Sequence, residues 1–287
     1  MFGKRLIDIL VEAVFPAKCL VCASSIEKKD ASGFSLSRLD PYVTIESINA
    51  LKSGGAAAKS LFKQCFHGLL ADMVCPACLS LFIPVHSPLC PDCGVVFQSN
   101  AGDDHQCEAC IKAPKRFHKA RAFGIYDQSL MELIHCFKYR GKIQLARAFG
   151  AMLLLTFLCF WNENEVDLVV PVPLHKKRFR KRGFNQSHLL IKTWESMKIA
   201  SYRLPHMERD VLLRQRWTEP QTGLGRKERI RNIKDAFKVD APDQVRRKRI
   251  LLVDDVYTTG ATADECSKTL LSSGAERVDV LTLARAL

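Results

Sequence analysis

The sequence predicts an α/β fold, a mostly parallel sheet flanked by helices, preceded by a small Cys-rich module. Three observations carry this. From about residue 120 onward, short apolar runs rich in Val, Ile and Leu alternate with helical patterns, the signature of strands buried on both faces. Ahead of them, eight of the 12 cysteines fall into four Cys-x-x-Cys pairs. Finally, ILLVDDVYTTGAT (250–262) reads as a buried strand that stops on two aspartates and turns through a Thr-Thr-Gly loop into a helix. Ligands of such sheets bind beyond the carboxyl ends of the strands.

The elements follow in order. The N-terminal stretch (1–19) reads as a short amphipathic helix with Leu6, Ile9, Leu10 and Val14 on one face. Asp8 and Glu12 break its apolar run, which argues against a secretion signal. Residues 24–72 carry SSIEKKDASG and LKSGGAAAKS, a small, polar texture expected of a linker or insertion, with a possible helix over 56–73. ARAFGIY (120–126) is a strand, and MELIHCFKYRG and IQLARAFGAMLLLTFLCFW are helices. The most apolar stretch, 151–161, is shorter than the roughly 20 residues a bilayer requires, so it reads as a buried helix. VDLVVPVP (166–173) is a buried strand, FNQSHLLIKTWESMK a helix and DVLLRQR a short strand. RKRILLVDD is a strand, ATADECSKTLLSSG a helix ended by Gly274, and ERVDVLTLARA the last strand. The division expected is a Cys-rich module over 1–118, with the insertion at about 24–72, and a sheet domain over 119–287.

The pairs are Cys19/Cys22, Cys75/Cys78, Cys90/Cys93 and Cys107/Cys110. Cys-x-x-Cys aims two thiolates at one ion, and two such pairs close a tetrahedral site with no open position. Eight thiolates therefore predict two structural zinc ions. First-with-second and third-with-fourth is the preferred pairing, since the last two pairs lie near the zinc spacing. Sequence leaves other pairings open, an interleaved one included. Cys65 and His67 read as helix residues rather than spare ligands. Cys136, Cys159 and Cys266 read as core thiols.

Lys and Arg total 43 against 30 Asp and Glu, a formal charge of +13, which points to a polyanionic partner. HKKRFRKR (175–182) concentrates six of those cations. In the strand-end loop, Thr258, Thr259, Gly260, Ala261 and Thr262 offer successive amides and hydroxyls, an anion cradle at a helix start. Asp254 and Asp255 before it are placed to accept hydrogen bonds from a vicinal diol. A phosphate cradle beside a diol clamp describes a sugar 5-phosphate site. The Walker pattern is absent.

This stretch resembles the phosphoribosyl-diphosphate (PRPP) motif of type I phosphoribosyltransferases. With FKYRGK (137–142), VPVPLHKKRFRKRGFNQ (170–186), PQTGLGRKERIRNIKDAF (220–237) and the leading Cys-x-x-Cys module, the chain resembles the ComF family of competence-associated, phosphoribosyltransferase-like proteins. The resemblance covers 1–22 and 73–287, and implies a type I phosphoribosyltransferase-like sheet. It implies that Asp254 and Asp255 hold the PRPP ribose, and Thr258 to Thr262 its 5-phosphate. It implies that Lys176, Lys177, Arg178, Arg180, Lys181 and Arg182 form a loop that meets pyrophosphate, a nucleic-acid backbone, or both. Residues 214–237 correspond to a mobile flap, with Pro220, Gln221, Thr222, Arg226, Arg231 and Asn232 on the family pattern and Gly223 and Gly225 supplying mobility. Trp217, Phe179 and Phe184 either stack on bases of single-stranded nucleic acid or pack within the fold. No residue stands out as a general acid or base. Mg2+ is expected with PRPP, held mainly by the ligand and water. The implied role is in DNA uptake during natural transformation, in the cytoplasm. Its implied partners are single-stranded DNA, PRPP, a competence helicase and an inner-membrane DNA channel, with no integral membrane segment. The alternative is an active phosphoribosyltransferase moving ribose 5-phosphate to an amine or nucleobase.

Overall fold

A computed structural model describes residues 17–26, 56–97, 102–197, 202–218 and 225–287. The expected helix over 1–19 lies almost wholly outside them, as does most of 24–72. The helices are α1 (Ala56–Leu70), α2 (Pro76–Ser80), α3 (Glu108–Lys112), α4 (Gln128–Tyr139), α5 (Leu145–Phe160), α6 (Lys176–Arg182), α7 (Gln186–Lys192), α8 (Arg226–Ile233), α9 (Pro242–Val245) and α10 (Ala261–Ser272). The strands are β1 (Ala120–Ile125), β2 (Leu168–Pro171), β3 (His206–Met207), β4 (Leu212–Arg214), β5 (Phe237–Val239), β6 (Arg249–Tyr257) and β7 (Arg277–Arg285). Five strands form one parallel sheet in the order β1-β7-β6-β2-β3. The stretch DVLLRQR does form a strand, β4, but outside that sheet: it pairs antiparallel with β5.

Alternation along the central strands divides the core. Leu251 and Val253 of β6, with Leu281 and Leu283 of β7, face one hydrophobic cluster. Ile250 and Leu252, with Val278 and Val280, face the other. This period of two lets a strand without polar residues serve both faces of a sheet. The first cluster contains α5, which is buried almost all round, as its unbroken apolar run requires. Among the described residues no helix is long and apolar enough to cross a membrane.

The polar segment 24–72 hides a core element. From α1, Phe66 stacks on Phe82 with ring centroids 4.0 Å apart, and Phe62 meets Phe123 of β1 at 4.9 Å. Cys65 is buried on the same helix, while His67 is exposed. Cys136, Cys159 and Cys266 are core thiols.

Two four-cysteine groups form: Cys19, Cys22, Cys75 and Cys78, and Cys90, Cys93, Cys107 and Cys110. The preferred pairing is the observed one, and the two groups are built alike. In each, one Cys-x-x-Cys pair lies in a tight turn whose next residue is left-handed, Ala23 (φ 61°) in the first and Gly94 (φ 67°) in the second. The other pair starts a one-turn helix, with Cys75 before α2 and Cys107 before α3. The amide of the helix-starting cysteine donates to the first thiol of the turn at 3.4 Å in both, Cys75 to Cys19 and Cys107 to Cys90. Gly94 is obligatory, because a Cβ there would stand 2.5 Å from the Ala120 carbonyl oxygen. Three thiols of the first group and three of the second belong to opposite core clusters, so the cysteine groups flank the sheet on its two sides.

Candidate functional site: a strand-end cavity

A cavity of about 890 Å³ opens at the carboxyl ends of β2 and β6. Asp254 and Asp255 line it together with Thr258, Gly260, Ala261 and Thr262. Gly260 takes φ +76° as the residue before α10. A Cβ there would meet the Tyr257 hydroxyl at 2.1 Å, so only glycine allows this turn. The Ala261 amide turns back to the Thr259 hydroxyl at 3.4 Å.

The two acids have different environments. Asp255 is buried and pairs with Lys138 of α4 at 2.8 Å. Burial alone would lower the Lys138 pKa, but the Asp255 carboxylate, helped by Asp254, raises it. Asp254 accepts from the Ser187 hydroxyl and from the Asp255 amide, both at 2.9 Å. Burial first, and the neighbouring Asp255 charge second, push its pKa up to about 7. The pair thus offers one neutralised carboxylate and one poised to hold or release a proton near neutral pH.

The basic stretch 175–182, expected as a loop, is the helix α6. His175 caps its start by accepting from the Lys177 amide at 3.2 Å, and Gly183 ends it at φ 86°. Helical spacing sorts its six cations. Arg178, Lys181 and Arg182 line the cavity, whereas exposed Lys176, Lys177 and Arg180 do not. Arg182 donates to Gln186 at 2.6 Å, and Arg178 to the Thr218 carbonyl at 3.1 Å. Trp217 is 40% exposed at the rim. Lys177 and Arg178 lie over its ring at 5.5 and 5.4 Å, and His175 approaches it edge-on at 5.2 Å. Phe179 is exposed, whereas Phe184 packs on Phe137 at 5.4 Å.

Of the expected flap residues, Pro220, Gln221, Thr222 and Gly223 lie outside the described residues, as does the Arg226 side chain. Arg231 is exposed and Asn232 half-buried on α8, and neither lines the cavity. Arg229 of the same helix and buried Arg214 of β4 do. Burial, then nearby Arg178, lowers the Arg214 pKa to about 10. Tyr126 and His135, hydrogen-bonded at 2.9 Å, also line the cavity. Sequence reasoning singled out none of Lys138, Ser187, Arg229, Tyr126 and His135, and placed Arg214 only at the start of the flap. FKYRGK contains Lys138, and the flap stretch 214–237 contains Arg229.

Each four-cysteine group could hold one zinc ion. The four Sγ atoms of each lie within 4.8 Å of one another, and the amide bonds to sulfur are of the kind that orient metal ligands. In the first group the Ser24 hydroxyl and amide draw the Cys22 pKa down to about 6, favouring the thiolate that binds metal.

A parallel sheet that ends on two acids and a Thr-Thr-Gly turn, with two four-cysteine groups packed on it, is the arrangement that the resemblance to phosphoribosyltransferase-like proteins with a Cys-rich module implies. No family model matches the chain. It is 32% identical over 218 residues to the DNA utilization protein YhgH of Escherichia coli K12, covering 75% of this chain and 91% of that one. It is 32% identical over 204 residues to competence protein F of Haemophilus influenzae, covering 69% and 85%. Competence protein ComFC of Bacillus subtilis is 29% identical over 218 residues, covering 75% and 85%. The chain belongs to the ComF family. Among solved structures, a hypoxanthine phosphoribosyltransferase from Staphylococcus aureus matches with a TM-score of 0.28 and 16% identity, covering 50% of this chain and 62% of the other.

Proposed function

We propose that this protein binds PRPP at the strand-end cavity and handles incoming single-stranded DNA in the cytoplasm during DNA uptake. One observation carries the reading: the acid pair, the Thr-Thr-Gly loop and the basic face of α6 share a single cavity. The amides at the start of α10, with the hydroxyls of Thr258, Thr259 and Thr262, suit a 5-phosphate. Asp254 and Asp255 suit the ribose hydroxyls. Arg178, Lys181 and Arg182 suit the pyrophosphate, where guanidinium gives paired contacts and ammonium a point charge. Mg2+ would enter with PRPP, held mainly by ligand oxygens and water. Lys176, Lys177 and Arg180 on the outer face of α6, beside Trp217, suit a strand backbone and its bases. The relatives named for DNA utilization and competence support the DNA-uptake role. The division of α6 into two faces is compatible with both ligands bound together.

Turnover is the second reading. The hydrogen-bonded Tyr126–His135 pair favours it, because it lines the cavity with groups able to carry a proton. Release of pyrophosphate from PRPP on adding an amine or nucleobase would establish it.

The experiment is a titration of zinc-loaded protein into fluorescent single-stranded DNA at near-physiological salt, with and without Mg-PRPP. Non-specific binding there gives dissociation constants of about 10⁻⁴ to 10⁻⁶ M. The expected result is tighter binding that PRPP changes. Neutralising Lys176, Lys177 and Arg180 should weaken it and flatten its salt dependence. Asp254→Asn with Asp255→Asn should remove PRPP binding and spare DNA binding. Binding within the non-specific range and indifferent to PRPP would sink the DNA-handling reading.

A further inference from the structure

One wall of the cavity leads directly to the second four-cysteine group. Arg285, the last residue of β7, sits in register beside Tyr257 of β6. Its guanidinium is buried between two partners. Nη2 donates to the Cys93 thiol at 3.3 Å, and Cζ lies 4.4 Å from the centre of the Tyr257 ring. Among the described residues, Nε and Nη1 meet no hydrogen-bond acceptor. The hydroxyl end of the Tyr257 ring bears on Gly260, so close that the loop fits only without a side chain there. Phe117 holds the ring edge-on at 6.0 Å, and the Ala286 amide fixes the Tyr257 carbonyl at 2.9 Å. The path Cys93–Arg285–Tyr257–Gly260 is continuous contact from a metal-ligating sulfur to the turn that forms the anion cradle.

A buried guanidinium requires a counter-charge. No carboxylate hydrogen-bonds or ion-pairs with Arg285 among the described residues. Four thiolates around one divalent zinc form a net anionic cluster, and Cys93 would present that cluster to Arg285. Cation and ring then stack, which fixes the plane of Tyr257 and with it the floor beneath Gly260.

We propose that Arg285 is a positioning residue that makes the seating of the 258–262 loop depend on the metal held by Cys90, Cys93, Cys107 and Cys110. The cysteine group is then more than a staple, because its charge sets the shape of the cradle. The inference rests on the reading of 258–262 as a phosphate cradle, although the packing path itself needs no ligand.

The test is hydrogen exchange of full-length, zinc-loaded protein without ligand, comparing wild type with Arg285→Met and Arg285→Lys. Zinc content is measured in parallel. Peptides covering 257–263 should exchange about tenfold faster in Arg285→Met, while zinc content and the 168–171 strand stay as in wild type. Arg285→Lys, which keeps the charge, should restore part of the protection. Wild-type exchange at 257–263 in Arg285→Met would overturn the proposal. So would equal acceleration at 257–263 and 168–171, which marks general destabilisation. Should Arg285→Met not fold, a chelator titration of the wild type decides. Protection at 257–263 should be lost with the zinc and before protection at 168–171, and loss only together with 168–171 overturns the proposal. Mg-PRPP affinity is measured separately, so a loop that loosens as expected in a protein that binds no PRPP leaves the coupling standing and removes the phosphate reading.

Discussion

Replacing Lys138 with methionine removes the counter-charge in the cavity and leaves the surrounding volume nearly filled. The Lys138 and Asp255 side chains are only 15% and 5% exposed, and their charged atoms lie 2.8 Å apart. Water therefore screens the pair little, and the small values typical of surface ion pairs do not apply. After substitution the Asp255 carboxylate stays buried next to Asp254 with no cation against it. Removing one partner of a buried pair costs about 3–5 kcal/mol, mostly because the remaining charge is stranded. The assay is urea denaturation at neutral pH without ligand, on wild type, Lys138→Met, Asp255→Asn and the double variant. The expected loss for Lys138→Met is about 3–5 kcal/mol, and adding Asp255→Asn should recover most of it. A loss below about 1 kcal/mol, the range of exposed pairs, would refute the account of Lys138 as the counter-ion.

Asp254 gives a pH signature. Its carboxyl is pushed up to about 7, so between the unfolded value of about 3.9 and 7 the folded chain holds a proton that the unfolded chain gives up. That contribution is complete below about 3.9 and is lost as pH rises through about 7. Asp254→Asn should flatten this part of the stability–pH curve, and an unchanged slope would contradict the burial argument. Gly260→Ala faces φ +76° and a near-collision with the Tyr257 hydroxyl. It should cost at least about 1–2 kcal/mol in thermal or urea unfolding. Phe66→Ala should cost about 3–5 kcal/mol, since Phe66 is fully buried and stacked on Phe82. A near-neutral result in denaturant unfolding would mean α1 does not dock on the sheet.

The strands and α5 were legible because apolar runs without polar interruption have few other uses. The cysteine pairing was legible because spacing and ligand chemistry agree. Legibility failed where contacts are long-range or composition misleads. The run KKRFRKR carries no apolar stripe and reads as a loop. Its helix is fixed by the His175 cap and the left-handed Gly183, which sequence supplies but a composition-based reading overlooks. Lys138 looks like any lysine near a helix end until β6 brings Asp255 to it. The same limit explains why Arg231 and Asn232 stood for the flap, whereas Arg229, two positions earlier, reaches the cavity. The segment 24–72 reads as a linker or insertion because its polar flanks outweigh the Phe62 and Phe66 stripe of α1.

The strand order β1-β7-β6-β2-β3 places the element that comes last in chain order inside the sheet, between β1 and β6. Ala120 finds its partner in Val280, so β1 is synthesised long before the only strand it pairs with in that sheet exists. On the ribosome the apolar faces of β1 and β6 must wait with open edges, a state prone to pairing with other chains. Arg285 arrives with the same late strand, so its hydrogen bond to Cys93 also forms only when synthesis reaches that point. A nascent chain of this protein is therefore most vulnerable just before β7 emerges, and early metal capture by the cysteine turns would hold it in a partly ordered form until the sheet can close.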